Sequence, residues 1–139
     1  MKTPMPTSSG KKLCLVLALI AVNAGWSRAD GLDGAQLYAD NCAACHKPDG
    51  SGLATFYPAL AGQAVVAGDP DTLIRVVVLG PANVLPADRP KFTGVMPPVK
   101  LSDAKLAALL SYIRDKFGKG ASAVTEDDVA RVRAASAPK

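Results

Sequence analysis

Leu106, Leu109, Leu110, Ile113 and Phe117 recur at spacings of three and four, so one face of LSDAKLAALLSYIRDKFG is apolar. That period is helical. Ser102 stands at its N-cap, Asp103 complements the dipole in the first turn, and Gly118 stops the run. A second helix is predicted over 33–41, with Leu37 and Tyr38 on its buried face and Gly34 permitting close backbone approach. Residues 69–81, DPDTLIRVVVLGP, are ambiguous, because Val76, Val77 and Val78 favour strand. The punctuation favours a helix over 70–79: Asp69 as N-cap, Pro70 in the first helical position, Asp71 in the first turn, Gly80 and Pro81 as the stop. TEDDVARVRAA predicts a short helix capped by Thr125, with three acids in its first turn. Residues 47–63 read as loop, and 81–100, with five prolines, as irregular. A loop of that length in a small domain usually carries function. The fold class is all-α, helices joined by Gly/Pro-rich loops, without an internal repeat.

The beginning of the chain follows different rules. Lys2, Lys11 and Lys12 precede an apolar run, LCLVLALIAVNA (13–24), and Ser27 and Ala29 occupy the small positions of an export cleavage site. Residues 1–29 are therefore read as a signal peptide cleaved after Ala29, its run too short for an ordinary membrane span. Cys14 and Trp26 leave with it. The remaining 30–139 form one domain carrying twelve basic and twelve acidic residues, so the net charge of +4 belongs to the leader. Nothing in that balance points to nucleic acid or an anionic membrane. The mature segment keeps two cysteines, one histidine and one methionine, and it is poor in bulky apolar volume.

Both cysteines and the histidine lie in CAACH, residues 42–46. A redox dithiol requires a preceding strand and a helix N-terminus, but here a helix precedes Cys42. A zinc site requires three or four ligands, which adjacent residues rarely supply, and no further Cys or His exists after the leader. Haem attachment accounts for every residue. Cys42 and Cys45 add to the two vinyl groups of a porphyrin, and His46 comes beneath the iron as proximal ligand. Export fits, since thioether haem is attached outside the cytoplasm. A buried porphyrin also supplies the missing core, on the order of 10 kcal/mol at ~25 cal/mol per Å². The sixth ligand is assigned to Met96, the only methionine of the mature segment, in a loop stiffened by Pro97 and Pro98. The alternative for Met96 is core filler.

With those residues in place, the chain resembles the class I cytochromes c across the whole mature segment. GAQLYADNCAACHKPDGSG is similar to that family's first helix and haem site, YPALAGQ to its proximal loop, GVMPP to its distal loop, and LSDAKLAALLSYIRDKFG to its last helix. The resemblance implies a small cytochrome c fold around one covalent haem c, with a short C-terminal helical extension at 120–139. It implies that Pro58 offers its carbonyl to His46, and that Gly34 and Tyr38 cross Leu109 and Tyr112 at right angles. FYPALAGQ, DPDTLIRVVVLG and SAVTEDDVARVR are most like haem domains in multihaem cytochrome subunits of bacterial membrane-bound alcohol and sugar dehydrogenases. This chain has a single C-x-x-C-H.

The expected function is a periplasmic single-electron carrier with a His46/Met96-ligated haem, no substrate chemistry and no membrane span in the mature form. Redox-protein donors and acceptors are its expected partners, a periplasmic dehydrogenase and a terminal oxidase among them. Two alternatives stand beside it: a dedicated electron-accepting subunit of a periplasmic dehydrogenase, and a haem enzyme or gas sensor with a labile Met96. Lys47, Arg89, Lys91 and Lys100 flank the haem motif and the Met loop as a candidate ring of cations. Cleavage after Ala29 removes the only tryptophan, so the exported protein should show tyrosine emission alone, with an N-terminus at Asp30; tryptophan emission would mean the leader is retained.

Overall fold

Each long helix begins where a side-chain oxygen meets the first free amides. The structure, a computed structural model, describes residues 32–137; the expected signal peptide, with Cys14 and Trp26, lies outside them. Asp33 accepts from the Ala35 and Gln36 amides and opens α1, Gly34–Asn41. Asp69 accepts from Asp71 and Thr72 and opens α4, Pro70–Leu79, with the proline at its first position. Ser102 opens α5, Asp103–Phe117, and Thr125 forms a reciprocal capping box with Asp128 to open α6, Glu126–Ser136. The two remaining α-helices are single turns, α2 at Ala43–His46 and α3 at Ala64–Ala67. No strand occurs among the described residues; Leu53 and Tyr57 form one isolated bridge.

The sequence reading differs from the structure in the short elements. Helices α2 and α3 carry too few residues for a period to register. Pro81–Asn83, inside the stretch read as irregular, is a turn of 3-10 helix. Proline suits the first position of such a turn because its missing N–H was without a partner there anyway.

Helix α5 is the axis of the core. Its predicted stripe, Leu106, Leu109, Leu110, Ile113 and Phe117, is buried throughout, against Leu37 and Tyr38 of α1, Leu73, Ile74 and Val77 of α4, and Val129 and Val132 of α6. The core is built largely from Leu, Ile and Val. Among the described residues, aromatic ring pairs occur at the α1–α5 contact, where the Tyr38 ring lies 5.7 Å from Tyr112 and 5.3 Å from Phe117. Crossing of these two helices depends on Gly34. A Cβ there would fall 2.5 Å from the Ala108 carbonyl oxygen and 2.7 Å from the Tyr112 Cβ, so any side chain forces the helices apart.

Arg114 is the charge inside this framework, 2 % exposed. Its Nε donates to the Ser122 carbonyl at 2.6 Å, Nη1 to the carbonyls of Val66 and Gly68 at 3.0 and 2.8 Å, and Nη2 to Ser122 Oγ at 3.2 Å. A buried guanidinium is tolerated only when its donors are met in this way. Ser111 Oγ adds a two-way clasp to Val124, donating to its carbonyl and accepting from its amide. Helix α6 is fastened by Arg133, which pairs with Asp103 and donates to the Leu101 carbonyl.

Gly34→Ala should lower unfolding stability by about 1–3 kcal/mol, the ordinary cost of overpacking, because the obstructing atoms are backbone and Cβ. Urea unfolding of the variant against the parent checks this; an unchanged midpoint would mean that the helices part freely.

Candidate functional site

CAACH occupies the junction of α1 and α2. Cys42 closes α1, its amide donating to the Tyr38 carbonyl, and its own carbonyl accepts from the Cys45 and His46 amides at 3.2 and 2.9 Å. One turn of helix therefore carries both thiols and the imidazole. Neither cysteine is in a disulfide; Cys42 is buried and Cys45 half-buried. Burial pushes the Cys42 thiol up to about 11, and the neighbouring Cys45 adds to it. Reactive dithiols carry the opposite shift. No group of three His, Cys, Asp or Glu side chains able to hold a metal ion occurs among the described residues, so a closed zinc site lacks its ligands too.

His46 is 8 % exposed, and its Nδ1 lies 2.9 Å from the Pro58 carbonyl oxygen. That oxygen can only accept, so Nδ1 carries the proton and the lone pair stands on Nε2. The ring is thus oriented and presented as a base at one nitrogen. Its backbone is tied as well: the His46 carbonyl accepts from the Gly52 amide at 3.0 Å. Gly52 adopts φ +69°, and a Cβ there would lie 2.5–2.6 Å from the backbone of Tyr57, Pro58 and Ala59. Only glycine combines that conformation with that contact. Leu53 and Tyr57 exchange backbone hydrogen bonds at 2.9 and 3.2 Å, which closes the loop presenting Pro58.

Tyr38, placed by sequence in the core, also serves the site. Its hydroxyl donates to the Lys47 carbonyl at 2.6 Å and so holds the turn that follows His46, where Lys47 takes φ +63°. No sequence signal distinguished this tyrosine from a core aromatic.

Met96 is half-buried and packs against the core cluster together with Leu60, Val65, Val78, Val99 and Leu101. Its loop is anchored at its far end by Val99, whose amide donates to the Val77 carbonyl at 2.9 Å. The proximal loop meets it directly: Thr93 N donates to Thr55 O at 3.1 Å, and Gly94 N to Phe56 O at 3.0 Å. Cys42, Cys45, His46 and Pro58 therefore form one contiguous group, and the loop that carries Met96 is tied to the segment before Pro58 by the pairing of 55–56 with 93–94. Of the expected cations, Lys47, Lys91 and Lys100 are exposed. Arg89 departs from a free ring member: its Nε is buried without a hydrogen-bond partner, beside a cavity of about 280 Å³ lined by Leu85, Pro86, Lys91 and Phe92 among others.

The family model described as cytochrome c matches residues 32–116. The cytochrome c subunit of gluconate 2-dehydrogenase from Pantoea cypripedii is 40% identical over 114 residues, covering 78% of this chain and 25% of that protein. The cytochrome c subunit of the quinone alcohol dehydrogenase from Gluconobacter oxydans is 37% identical over 113 residues, with 78% and 23% covered. Cytochrome c-552 of Thermus thermophilus is 34% identical over 112 residues, covering 73% of this chain and 85% of its own length. The chain thus spans about a quarter of the dehydrogenase subunits it matches and most of the Thermus protein.

Burial raises the Tyr38 phenol from 10 to about 12, with Cys42 the next contributor. Because the folded value lies above the unfolded one, this stabilisation is complete below pH ~10 and fades as pH rises through about 12. Ultraviolet titration should show one late tyrosine, which Tyr38→Phe abolishes; the same substitution should cost about 1 kcal/mol through the lost Lys47 hydrogen bond. A late tyrosine persisting in that variant would contradict the assignment.

Proposed function

The chain belongs to the cytochrome c family, and from that premise we propose a periplasmic one-electron carrier with its haem c joined to Cys42 and Cys45 and its iron held between His46 and Met96. Membership of the family brings covalent haem c and electron transport as its work. The bound haem supplies the one-electron iron couple. The protein's own residues do the rest.

The residues fit the group. The observation that carries the reading is the His46–Pro58 hydrogen bond, which fixes the ring and leaves Nε2 as the ligating nitrogen. Cys42 and Cys45 are unpaired and lie on the same turn, as two thioethers to one porphyrin require. Leu60, Val65, Val78, Val99 and Leu101, like Met96, are packed on the core but only partly covered, and so offer apolar surface to a porphyrin. Met96 would supply a thioether and His46 an imidazole to the iron, a pair that would favour the reduced ion and raise the potential. With both ligands retained in either oxidation state, little would reorganise on transfer and no position would remain for substrate, so the protein would perform no substrate chemistry.

Periplasmic placement is supported by the export pattern of 1–29 and by the compartment that thioether haem requires. No helix among the described residues is long and apolar enough to cross a membrane. A free carrier is supported by the single C-x-x-C-H and by the near full-length match to Thermus cytochrome c-552. A dedicated electron-accepting role beside a dehydrogenase is the second reading, favoured by the higher identity to the gluconate 2-dehydrogenase subunit. On either reading the partners are redox proteins.

The haem should survive acid–acetone extraction, and Cys42→Ala or Cys45→Ala should each leave one thioether and shift the reduced pyridine-haemochrome band. Haem that extracts freely would sink the attachment. Met96→Ala should lower the potential, remove the far-red sulfur–iron charge-transfer band and open the reduced protein to CO. CO binding by the unaltered protein without denaturant would instead favour the gas-sensor or enzyme reading.

A further inference from the structure

We infer that the segment Thr55–Pro58 positions both axial ligands at once, and that Gly94, through its contact with Tyr57, is a positioning residue for Met96; this rests on the ligand assignment proposed above. The segment faces two ways. At one end the Pro58 carbonyl accepts from His46 Nδ1 at 2.9 Å. At the other, the Thr55 and Phe56 carbonyls accept from the Thr93 and Gly94 amides at 3.1 and 3.0 Å. Between them Tyr57 is locked by its paired backbone bonds to Leu53.

Gly94 makes the second attachment possible. A Cβ at this position would lie 2.1 and 2.5 Å from carbons of the Tyr57 ring and 2.7 Å from the Phe56 carbonyl oxygen. The ring therefore lies against bare backbone, and any side chain at 94 displaces either the ring or the pairing. The φ of Gly94 is not in the left-handed region, so the requirement is one of space alone.

Met96 is held from both sides. After it come Pro97 and Pro98, with fixed φ, and then the Val99–Val77 hydrogen bond at 2.9 Å. Before it, the restraints are the Thr93 and Gly94 bonds and the Tyr57 ring. Loss of the leading restraint leaves the trailing one, and the loop gains conformers in which the sulfur stands away from its partner. A competing ligand binds only those conformers, so its apparent affinity scales with their population.

The test titrates imidazole into the ferric holoprotein, following the far-red sulfur–iron band, with far-ultraviolet circular dichroism on the same samples. Gly94→Ala should bind imidazole about tenfold more tightly than the parent while the helical signal holds. Tyr57→Ala opens the same contact without added bulk and should shift affinity in the same direction, which covers the case of a Gly94 variant that does not accumulate. Tyr57→Phe keeps the ring and should match the parent. Gly62→Ala strains a left-handed glycine (φ +77°) with open space around it; it should lose stability and leave imidazole affinity unchanged. Parental affinity in both Gly94→Ala and Tyr57→Ala overturns the inference, as does Tyr57→Phe behaving like Tyr57→Ala. A parent protein without the far-red band overturns it at its root, by removing Met96 as ligand.

Discussion

The hydrogen bond between His46 Nδ1 and the Pro58 carbonyl is the constraint on which the rest of this structure turns. An imidazole has two nitrogens and one mobile proton, and a carbonyl that can only accept decides where the proton resides. The ring is fixed in rotation and in tautomer by one oxygen. The carbonyl must itself be placed, and most of the proximal loop serves that end. Gly52 lies flat against its backbone, Leu53 and Tyr57 close the turn, and the Leu60 amide donates to the Gly50 carbonyl at 2.8 Å.

The helical frame gives this loop something rigid to stand on. Helices α1 and α5 approach to backbone contact at Gly34, and α1 ends directly in the Cys42 turn. The position of the cysteines thus follows from the packing of α1 on α5. Helix α4 carries the other end of the arrangement, because the Val77 carbonyl anchors the segment after Met96. A change of packing between the helices would be felt as a change of geometry at both loops, since a close-packed interior transmits displacement.

Much of this was legible in the sequence, and the reasons differ by element. Helices α4, α5 and α6 announced themselves through caps, whose chemistry is local: the oxygens of Asp69, Ser102 and Thr125 meet amides two or three residues on, whereas α1 was read from Leu37 and Tyr38 and its Asp33 cap was not. The CAACH group was legible because its members are neighbours in the chain. Pro58 was reached only through family resemblance, twelve residues away and acting through a carbonyl that every residue possesses. The Tyr38 hydrogen bond to the Lys47 carbonyl and the 55–56 to 93–94 pairing were not legible at all. A backbone-to-backbone bond leaves no mark on residue identity, except where a glycine such as Gly94 is needed to admit it. The short turns α2 and α3 escaped because one turn of helix contains no repeat.

Arg114 sets the limits of what can be moved. The family match ends at residue 116, yet this guanidinium draws one of its carbonyl acceptors and its hydroxyl acceptor from Ser122, and Val129 and Val132 of α6 complete the core below it. A graft cut at the end of the family match would carry an interior cation two of whose four acceptors had been left behind. Anyone transplanting this haem module into another scaffold, or fusing it to an electrode-binding tag, should take the chain through Ser136 as the portable unit.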